Sequence, residues 1–211
     1  MVPPPRGRRL VQLYLGLILY GLSDSFLLLA GLGVDPWDVF HQGLARQFGL
    51  GVGTWAVIVG ALVLVFWIPL RQRPGFGTLS NVVVIGLVID LCLALAVPPH
   101  GLLVRTGLLV AGVVLNAVAT GAYIGAGLGP GPRDGLMTGL AARGLSIRRA
   151  RTGIELCVLI VGWLLGGTVG LGTVAYALGI GPLVHLLLPV LQIEPTPPAA
   201  RPELAVEAVG S

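Results

Sequence analysis

Three ionisable side chains, Asp24, Asp90 and His185, interrupt long apolar segments of this sequence. A charged side chain at the centre of a bilayer costs at least about 2.5 kcal/mol, so each is a candidate functional residue. Asp90 and His185 end two related segments, Gly86–Asp90 and Gly181–His185. Since histidine titrates near neutral pH, a carboxylate paired with it is a candidate for proton coupling. The alternative is that each side chain binds a neighbouring backbone group or snorkels separately toward the membrane surface.

A second polar pair recurs at an offset of 96 residues, because Tyr20 and Asp24 correspond to Asn116 and Thr120. Residues four apart lie on the same face of a helix. Two helices therefore carry polar faces at matching height, and these four side chains are predicted to line a central substrate-binding cavity. The alternative is packing, since hydrogen bonds between membrane helices contribute about 0.6 kcal/mol each.

The same offset relates two short motifs, Leu32-Gly33-Val34-Asp35-Pro36-Trp37-Asp38 and Leu128-Gly129-Pro130-Gly131-Pro132-Arg133-Asp134. Proline is favoured at the first position of a helix, and acidic side chains are favoured at its N-cap and first turn. Each motif therefore predicts a short helix, the first ending near Phe48 and the second near Gly144. Each helix either lies on the membrane surface or re-enters the bilayer, where its backbone must be buried in protein or line water. Re-entrant helices would add four side chains to the substrate site: Trp37, Asp38, Arg133 and Asp134.

The composition indicates an all-α polytopic membrane protein. Hydrophobic residues make up 55% of the chain and charged residues 10%, against about 25% charged residues in soluble domains. A membrane-spanning helix needs about 20 residues. Six segments are near that length: Leu10–Leu32, Gly53–Leu70, Leu79–Val97, Val104–Gly127, Gly153–Val169 and Val174–Leu191.

Arginine clusters predict the orientation of these six spans. They lie at residues 6–9, 71–73 and 143–151, and positive side chains mark the cytoplasmic side, so both termini are predicted to be cytoplasmic. Three spans per repeat is an odd number, so the second repeat is inverted relative to the first, as in many secondary transporters. The predicted organisation is an N-terminus at 1–9, repeat 1 at 10–97, a linker at 98–103, repeat 2 at 104–191 and a disordered cytoplasmic tail at 192–211.

Three smaller features carry predictions of their own. Arg151 and Glu155 are four apart and are expected to form an interfacial ion pair. The sequences Gly75-x-Gly77 and Gly170-x-Gly172 precede the third and sixth spans, and are predicted to be tight turns. His41 falls in an extracytoplasmic segment and is assigned no role.

Five motifs of the sequence are typical of a known family. They are Leu32-Gly33, Pro36-Trp37-Asp38, Arg71-Gln72-Arg73-Pro74-Gly75-Phe76-Gly77-Thr78, Gly86-Leu87-Val88-Ile89-Asp90 and Gly129-Pro130-Gly131-Pro132-Arg133-Asp134. With these motifs the sequence resembles the YczE/YyaS/YitT group of bacterial membrane proteins, and most of all its YczE branch. The resemblance covers about residues 10–191. It implies a multi-pass protein of the bacterial cytoplasmic (inner) membrane that acts as a transporter, and it supplies no substrate or site residue.

The predicted function is secondary transport of a small molecule through a central site at the interface of the two repeats. The alternative is a non-transporting accessory, scaffold or receptor protein, which the small size of the chain favours. Serine-nucleophile motifs, metal-ligand spacings and phosphate-binding loops are absent from the sequence, so no enzyme activity, cofactor or metal is expected. The expected partners are the lipid bilayer, the substrate and a second copy in a homodimer, with no nucleic acid.

Overall fold

The computed structural model describes residues 3–193, and that part of the chain folds into eight α-helices without a strand. Their bounds are α1 Arg6–Ala30, α2 Pro36–Phe48, α3 Val52–Leu70, α4 Phe76–Leu95, α5 Leu102–Gly125, α6 Pro132–Ala141, α7 Ile147–Leu164 and α8 Leu171–Leu191. Within residues 3–193, five of them, α1, α3, α4, α5 and α8, are long and apolar enough to cross a membrane. The prediction of an all-helical, multi-pass membrane protein is confirmed at this level.

The sixth predicted span corresponds to α7, which differs from the five long apolar helices. It has 18 residues and carries Arg148, Arg149, Arg151 and Glu155 in its first half. These charges lower its mean hydropathy below that of the other long helices, so a sixth span stays a prediction. Arg151 Nε lies 2.9 Å from Glu155 Oε1, which confirms the predicted ion pair.

The long helices α1 and α5 pack antiparallel and form the centre of the bundle. At one end Arg9 Nη1 donates to the carbonyl oxygen of Ala126 over 2.9 Å. At the other end Arg105 Nε donates to the carbonyl oxygen of Ala30 over 2.6 Å. Small residues allow this close approach, since a Cβ on Gly112 would come within 2.8 Å of the Leu27 side chain.

The two short helices begin where the motifs predicted. Asp35 is the N-cap of α2, and its Oδ1 accepts hydrogen bonds from the backbone nitrogens of Trp37 at 2.9 Å and Asp38 at 3.4 Å. Gly131 takes the N-cap position of α6, again followed by proline. Helix α2 ends at Phe48 as predicted, whereas α6 ends at Ala141, three residues before Gly144, because the chain leaves the helix in tight turns that Gly144 completes with φ of +99°.

Both short helices run outward from the interior of the bundle. The last turn of α2 lies beside the C-terminus of α7, where Arg46 donates to the carbonyl oxygen of Gly166. The segment that follows α6 lies beside the C-terminus of α3, where Arg143 donates to the carbonyl oxygen of Pro69. The N-terminal turn of α2 is buried inside the bundle, where Asp38 is fully inaccessible.

The two glycine pairs begin helices and do not form the predicted tight turns, because Gly75 and Gly170 are the N-caps of α4 and α8 and the second glycine of each pair lies in the first helical turn. These helix starts dock each half of the chain onto the other. The backbone nitrogen of Gly77 donates to the carbonyl oxygen of Leu128 over 2.8 Å, and that of Gly172 donates to the carbonyl oxygen of Leu32 over 2.8 Å. A Cβ on Gly75 or Gly170 would overlap these same two carbonyl oxygens. The starts of α4 and α8 therefore hold in place the loops that lead into α6 and α2.

The chain is described as far as Ile193, two residues into the predicted tail. The backbone nitrogen of Ile193 donates to the carbonyl oxygen of Gly125 over 2.9 Å. The prediction of a disordered tail otherwise falls outside the described residues.

Candidate functional site

A cavity of about 400 Å³ lies where the N-termini of α2 and α6 face each other. Small-molecule sites in proteins enclose about 300 to 1,000 Å³, so the volume suits a small ligand. All eight helices or their caps contribute to the lining. Its polar members are Tyr20, Asp35, Trp37, His41, Asn81, Thr120, Tyr123, Arg133, Asp134, Arg151, Glu155, Tyr176 and His185.

Arg133 connects the two short helices across the cavity. Its Nη1 lies 3.6 Å from Asp35 Oδ1, and its guanidinium lies 4.9 Å from the centre of the Trp37 ring. The Arg133 side chain keeps 28% of its surface exposed, while Asp35 keeps 4%. A guanidinium over an indole face is attracted to it, so the arginine is held in position while part of it still faces the cavity.

Behind Arg133, three carboxylates form a compact group, the carboxylate cluster of Asp24, Asp35 and Asp38. One oxygen of each lies within 4.8 Å of the others. Counted over the whole residue, Asp24, Asp35 and Asp38 are 1%, 3% and 0% exposed. Asn116 Nδ2 donates to Asp24 Oδ1 over 2.9 Å, and His41 Nδ1 lies 3.1 Å from Asp38 Oδ1. Two buried polar atoms at this place, Trp37 Nε1 and Asp38 Oδ2, have no hydrogen-bond partner within residues 3–193.

Three tyrosines complete the polar wall of the cavity. The Tyr123 hydroxyl donates to Asp134 Oδ2 over 2.9 Å, and the Tyr176 hydroxyl donates to Asn116 Oδ1 over 3.0 Å. The rings of Tyr20 and Tyr123 meet edge to face, with centroids 6.0 Å apart. The hydrogen bonds fix the orientation of two of these rings, so the cavity has a defined shape without a ligand.

The structure divides the predicted site residues into two layers. Six of them line the cavity: Tyr20, Trp37, Thr120, Arg133, Asp134 and His185. Asp24, Asp38 and Asn116 lie behind the lining and bind one another or their neighbours. Of the two interpretations of the polar helix faces, the substrate cavity fits Tyr20 and Thr120, which face the cavity. Helix packing fits Asp24 and Asn116, which join α1 to α5.

Asp90 lies apart from the cavity and binds the N-terminus of α3. Its Oδ1 accepts a hydrogen bond from the Gly53 nitrogen over 2.7 Å. Its Oδ2 accepts from the nitrogen of Thr54 over 2.7 Å and from the Thr54 hydroxyl over 2.6 Å. Asp90 therefore binds a neighbouring backbone group, which is the alternative given above to a pair with His185. The proton relay with His185 stays a prediction.

A gap separates α7 from α8, and both helices line the cavity. Whereas α4 packs on α3, α8 packs on α5 and has at most marginal contact with α7 in the described part of the chain. A Cβ on Gly86 of α4 would overlap the carbonyl oxygen of Gly53, but a Cβ on the corresponding Gly181 of α8 would meet no atom within 4 Å. The close contact between α3 and α4 in the first half of the chain therefore has no counterpart between α7 and α8 in the second half.

Comparison with known proteins gives the family. The model of a family of unknown function, DUF6198, matches residues 7–189. The chain belongs to the DUF6198 family. It is 38% identical over 182 residues to the uncharacterized membrane protein YczE of Bacillus subtilis, covering 83% of each chain. This confirms the resemblance found from the motifs.

Other relatives of this DUF6198 protein have a similar extent. An uncharacterized protein of Haemophilus influenzae is 39% identical over 180 residues, covering 85% of this chain and 83% of the relative. The uncharacterized protein YyaS of Bacillus subtilis is 28% identical over 185 residues, covering 84% and 91%. No solved structure matches the chain. The family match includes every residue that lines the cavity.

Seven polar residues of the cavity lining in this DUF6198 protein are not among the predicted site residues. The sequence indicates only a capping role for Asp35, only an ion pair for Arg151 and Glu155, and no role for His41, and it does not single out Asn81, Tyr123 or Tyr176. One signal for His41 was present, because it follows Asp38 by three residues on a short helix and so shares its face. The tyrosines are identified only by the packing of α5 and α8.

Proposed function

We propose that this DUF6198 protein is a secondary transporter for a small zwitterionic organic molecule, with the cavity between α2 and α6 as its binding site. The observation that carries the proposal is a cavity of about 400 Å³ inside a helical membrane protein, lined by side chains of both charges. Charged groups are costly at membrane depth and typically mark a substrate or ion pathway.

The proposal takes the chain as two inverted repeats. It is supported by the antiparallel packing of α1 and α5, by the crossed docking of Gly77 on Leu128 and Gly172 on Leu32, and by the opposite directions of α2 and α6. In this scheme α7 is the sixth span, and α2 and α6 are re-entrant helices. Tyr20 stands midway between Leu10 and Ala30, about 15 Å from either, so the site would lie near the middle of a bacterial inner membrane.

The charges around the cavity favour a zwitterion over a simple ion. Arg133 and Arg151 line the cavity and can bind a carboxylate. Asp134 and Glu155 line it as well and can bind an amine or quaternary ammonium group, with Arg151 and Glu155 exchanging their mutual ion pair for the ligand. The aromatic rings of Tyr20 and Tyr123 provide a wall for the apolar part of the ligand.

The gap between α7 and α8 supplies the path by which substrate reaches the site. Arg151 lies in the first turns of α7, and His185 lies near the C-terminal end of α8. That end of α8 adjoins the start of α1, because Gln12 donates to the carbonyl oxygen of Leu191 over 2.6 Å. With cytoplasmic termini, the described conformation would be open to the cytoplasm. His185 at this opening stays a candidate for proton coupling.

The test is counterflow in proteoliposomes across a panel of amino acids, betaines and amines, together with a thermal-unfolding screen of the purified protein against the same panel. We expect a zwitterion to be transported and to raise the melting temperature, and Arg133→Gln to abolish both effects. Arg148→Gln is the matched control, since Arg148 is exposed at the start of α7. A folded protein that moves no compound and is stabilised by none would favour the accessory or scaffold role.

A further inference from the structure

We propose that the carboxylate cluster of Asp24, Asp35 and Asp38 binds Na⁺, and that this ion is coupled to the substrate in the adjoining cavity. The coupling part rests on the transport function proposed above, whereas the binding of the ion does not. The proposal departs from the expectation from sequence, which contained no metal-ligand spacing.

The geometry suits an ion larger than Mg²⁺. The three carboxylate oxygens lie within 4.8 Å of one another. Two ligands on opposite sides of Mg²⁺ are about 4.2 Å apart, whereas on Ca²⁺ they are about 4.6 to 5.2 Å apart. Na⁺ has nearly the radius of Ca²⁺ and so fits the same spacing. The spacing therefore fits Na⁺ as well as Ca²⁺, and the melting experiment with CaCl₂ decides between the two ions.

The charge balance also calls for further positive charge, carried by a bound cation or by protons on the carboxyl groups. Three buried carboxylates stand against one guanidinium, that of Arg133, which lies 3.6 Å from Asp35. An ionised carboxylate that is buried without a counter-charge is strongly destabilising. A bound Na⁺ provides a second positive charge at the place where the carboxylates converge.

An unsatisfied atom gives an independent indication of a ligand. Asp38 Oδ2 is fully buried and has no hydrogen-bond partner in the described part of the chain, although Oδ1 of the same carboxylate lies 3.1 Å from His41 Nδ1. Buried acceptors nearly always have a partner. A coordinated cation would satisfy this oxygen.

Asp35 joins the ion site to the substrate site. It belongs to the carboxylate cluster, lines the cavity and is the ion-pair partner of Arg133. When Na⁺ neutralises part of the charge on Asp35, the hold of Asp35 on Arg133 weakens. The guanidinium then binds a substrate carboxylate more strongly, and by linkage the substrate strengthens the binding of Na⁺.

The binding is tested by thermal unfolding of the purified full-length protein at constant ionic strength, with NaCl exchanged stepwise for choline chloride or KCl, and with CaCl₂ in a separate series. We expect the melting temperature to rise with NaCl by a few degrees and to saturate, and to respond to neither K⁺ nor choline. Equal melting temperatures in the three salts would overturn the proposal, and so would a rise produced by Ca²⁺ in place of Na⁺.

The site is tested by Asp38→Asn, which should lose the response to Na⁺. Asp90→Asn is the matched control, since this carboxylate binds only α3 in the described structure, and it should keep the response relative to its own baseline. A response retained in Asp38→Asn would refute the assignment. If that variant does not fold, calorimetric titration of the wild-type protein with NaCl against KCl decides the question.

The two proposals fail separately. Substrate counterflow without any stabilisation by Na⁺ refutes the ion site and leaves the transporter. Saturable stabilisation by Na⁺ in a protein that moves no substrate refutes the transporter and leaves the ion site.

Discussion

Replacing Asp90 by asparagine should weaken the start of α3 without changing the cavity. The carboxylate accepts three short hydrogen bonds, from the nitrogens of Gly53 and Thr54 and from the Thr54 hydroxyl. Asparagine keeps one acceptor oxygen and turns the other position into an amide that donates. One donor at the N-terminus of α3 then loses its partner and faces a second donor.

The magnitude follows from the bonds that are lost. A hydrogen bond to a charged group contributes about 1.5 to 3 kcal/mol, and a negative charge at a helix N-terminus contributes about 0.3 to 1 kcal/mol. The loss of one such bond and of the charge predicts that Asp90→Asn lowers the free energy of unfolding by about 2 to 4 kcal/mol. His185→Gln, at the corresponding position of α8, should change it by less than about 0.5 kcal/mol because that side chain is exposed.

The assay is reversible denaturant unfolding in detergent. It is performed on Asp90→Asn and His185→Gln, and on a double-mutant cycle that combines Asp90→Asn with Thr54→Val. Thr54→Val removes the hydroxyl that donates to Asp90 Oδ2 over 2.6 Å. Since both changes remove the same interaction, their effects should fall short of additivity by more than about 0.5 kcal/mol. Additive effects, or wild-type stability of Asp90→Asn, would refute the capping role. Wild-type stability combined with loss of pH-dependent transport would favour the proton relay instead.

Three further predictions concern the cavity and its opening. Gly86→Ala should destabilise the protein by about 1 to 3 kcal/mol, because the new Cβ overlaps the Gly53 carbonyl, while thermal unfolding should find Gly181→Ala neutral. Equal losses would contradict the gap between α7 and α8. Gly181→Leu should fill the cavity and abolish substrate-induced stabilisation without unfolding the protein, whereas Gly153→Leu, which also points into open space, should retain it. Arg133→Gln should cost about 3 to 5 kcal/mol by leaving Asp35 unpaired, and Arg133→Lys should recover part of that loss in the same unfolding assay. Equal losses in the two variants would exclude the ion pair as the cause.

The predictions from sequence succeeded where the determining interactions are local. Asp35 and Pro36 specify the start of α2 through a cap and a fixed φ, and both act within three residues. The docking of Gly77 on Leu128 could not be predicted in the same way, since it joins residues 51 positions apart through backbone atoms. The sequence shows the glycines themselves. It does not show which carbonyl oxygens they contact, because any residue has a carbonyl oxygen and no particular side chain marks these two.

The site was only partly predictable because its chemistry arises from packing. Asp24 and Asp38 were both identified, but on different helices and for different reasons. Their place in one carboxylate cluster depends on how the loop before α2 returns into the bundle after α1 ends. His41 illustrates the same limit, because an extracytoplasmic position assigned from span order says nothing about burial, and its side chain proves to be almost fully buried against Asp38.

A sequence difference between the two halves accounts for the gap between α7 and α8. In the first half, Gly86 permits α4 to touch α3, and Asp90 then binds the exposed nitrogens of Gly53 and Thr54. In the second half, Gly181 is followed by a proline, and histidine takes the position of Asp90. A neutral imidazole cannot accept two backbone hydrogen bonds as a carboxylate does. The α7–α8 pair therefore lacks the interaction that joins α3 to α4, and under the proposed inverted arrangement that difference gives the substrate access from the side of the N-terminus.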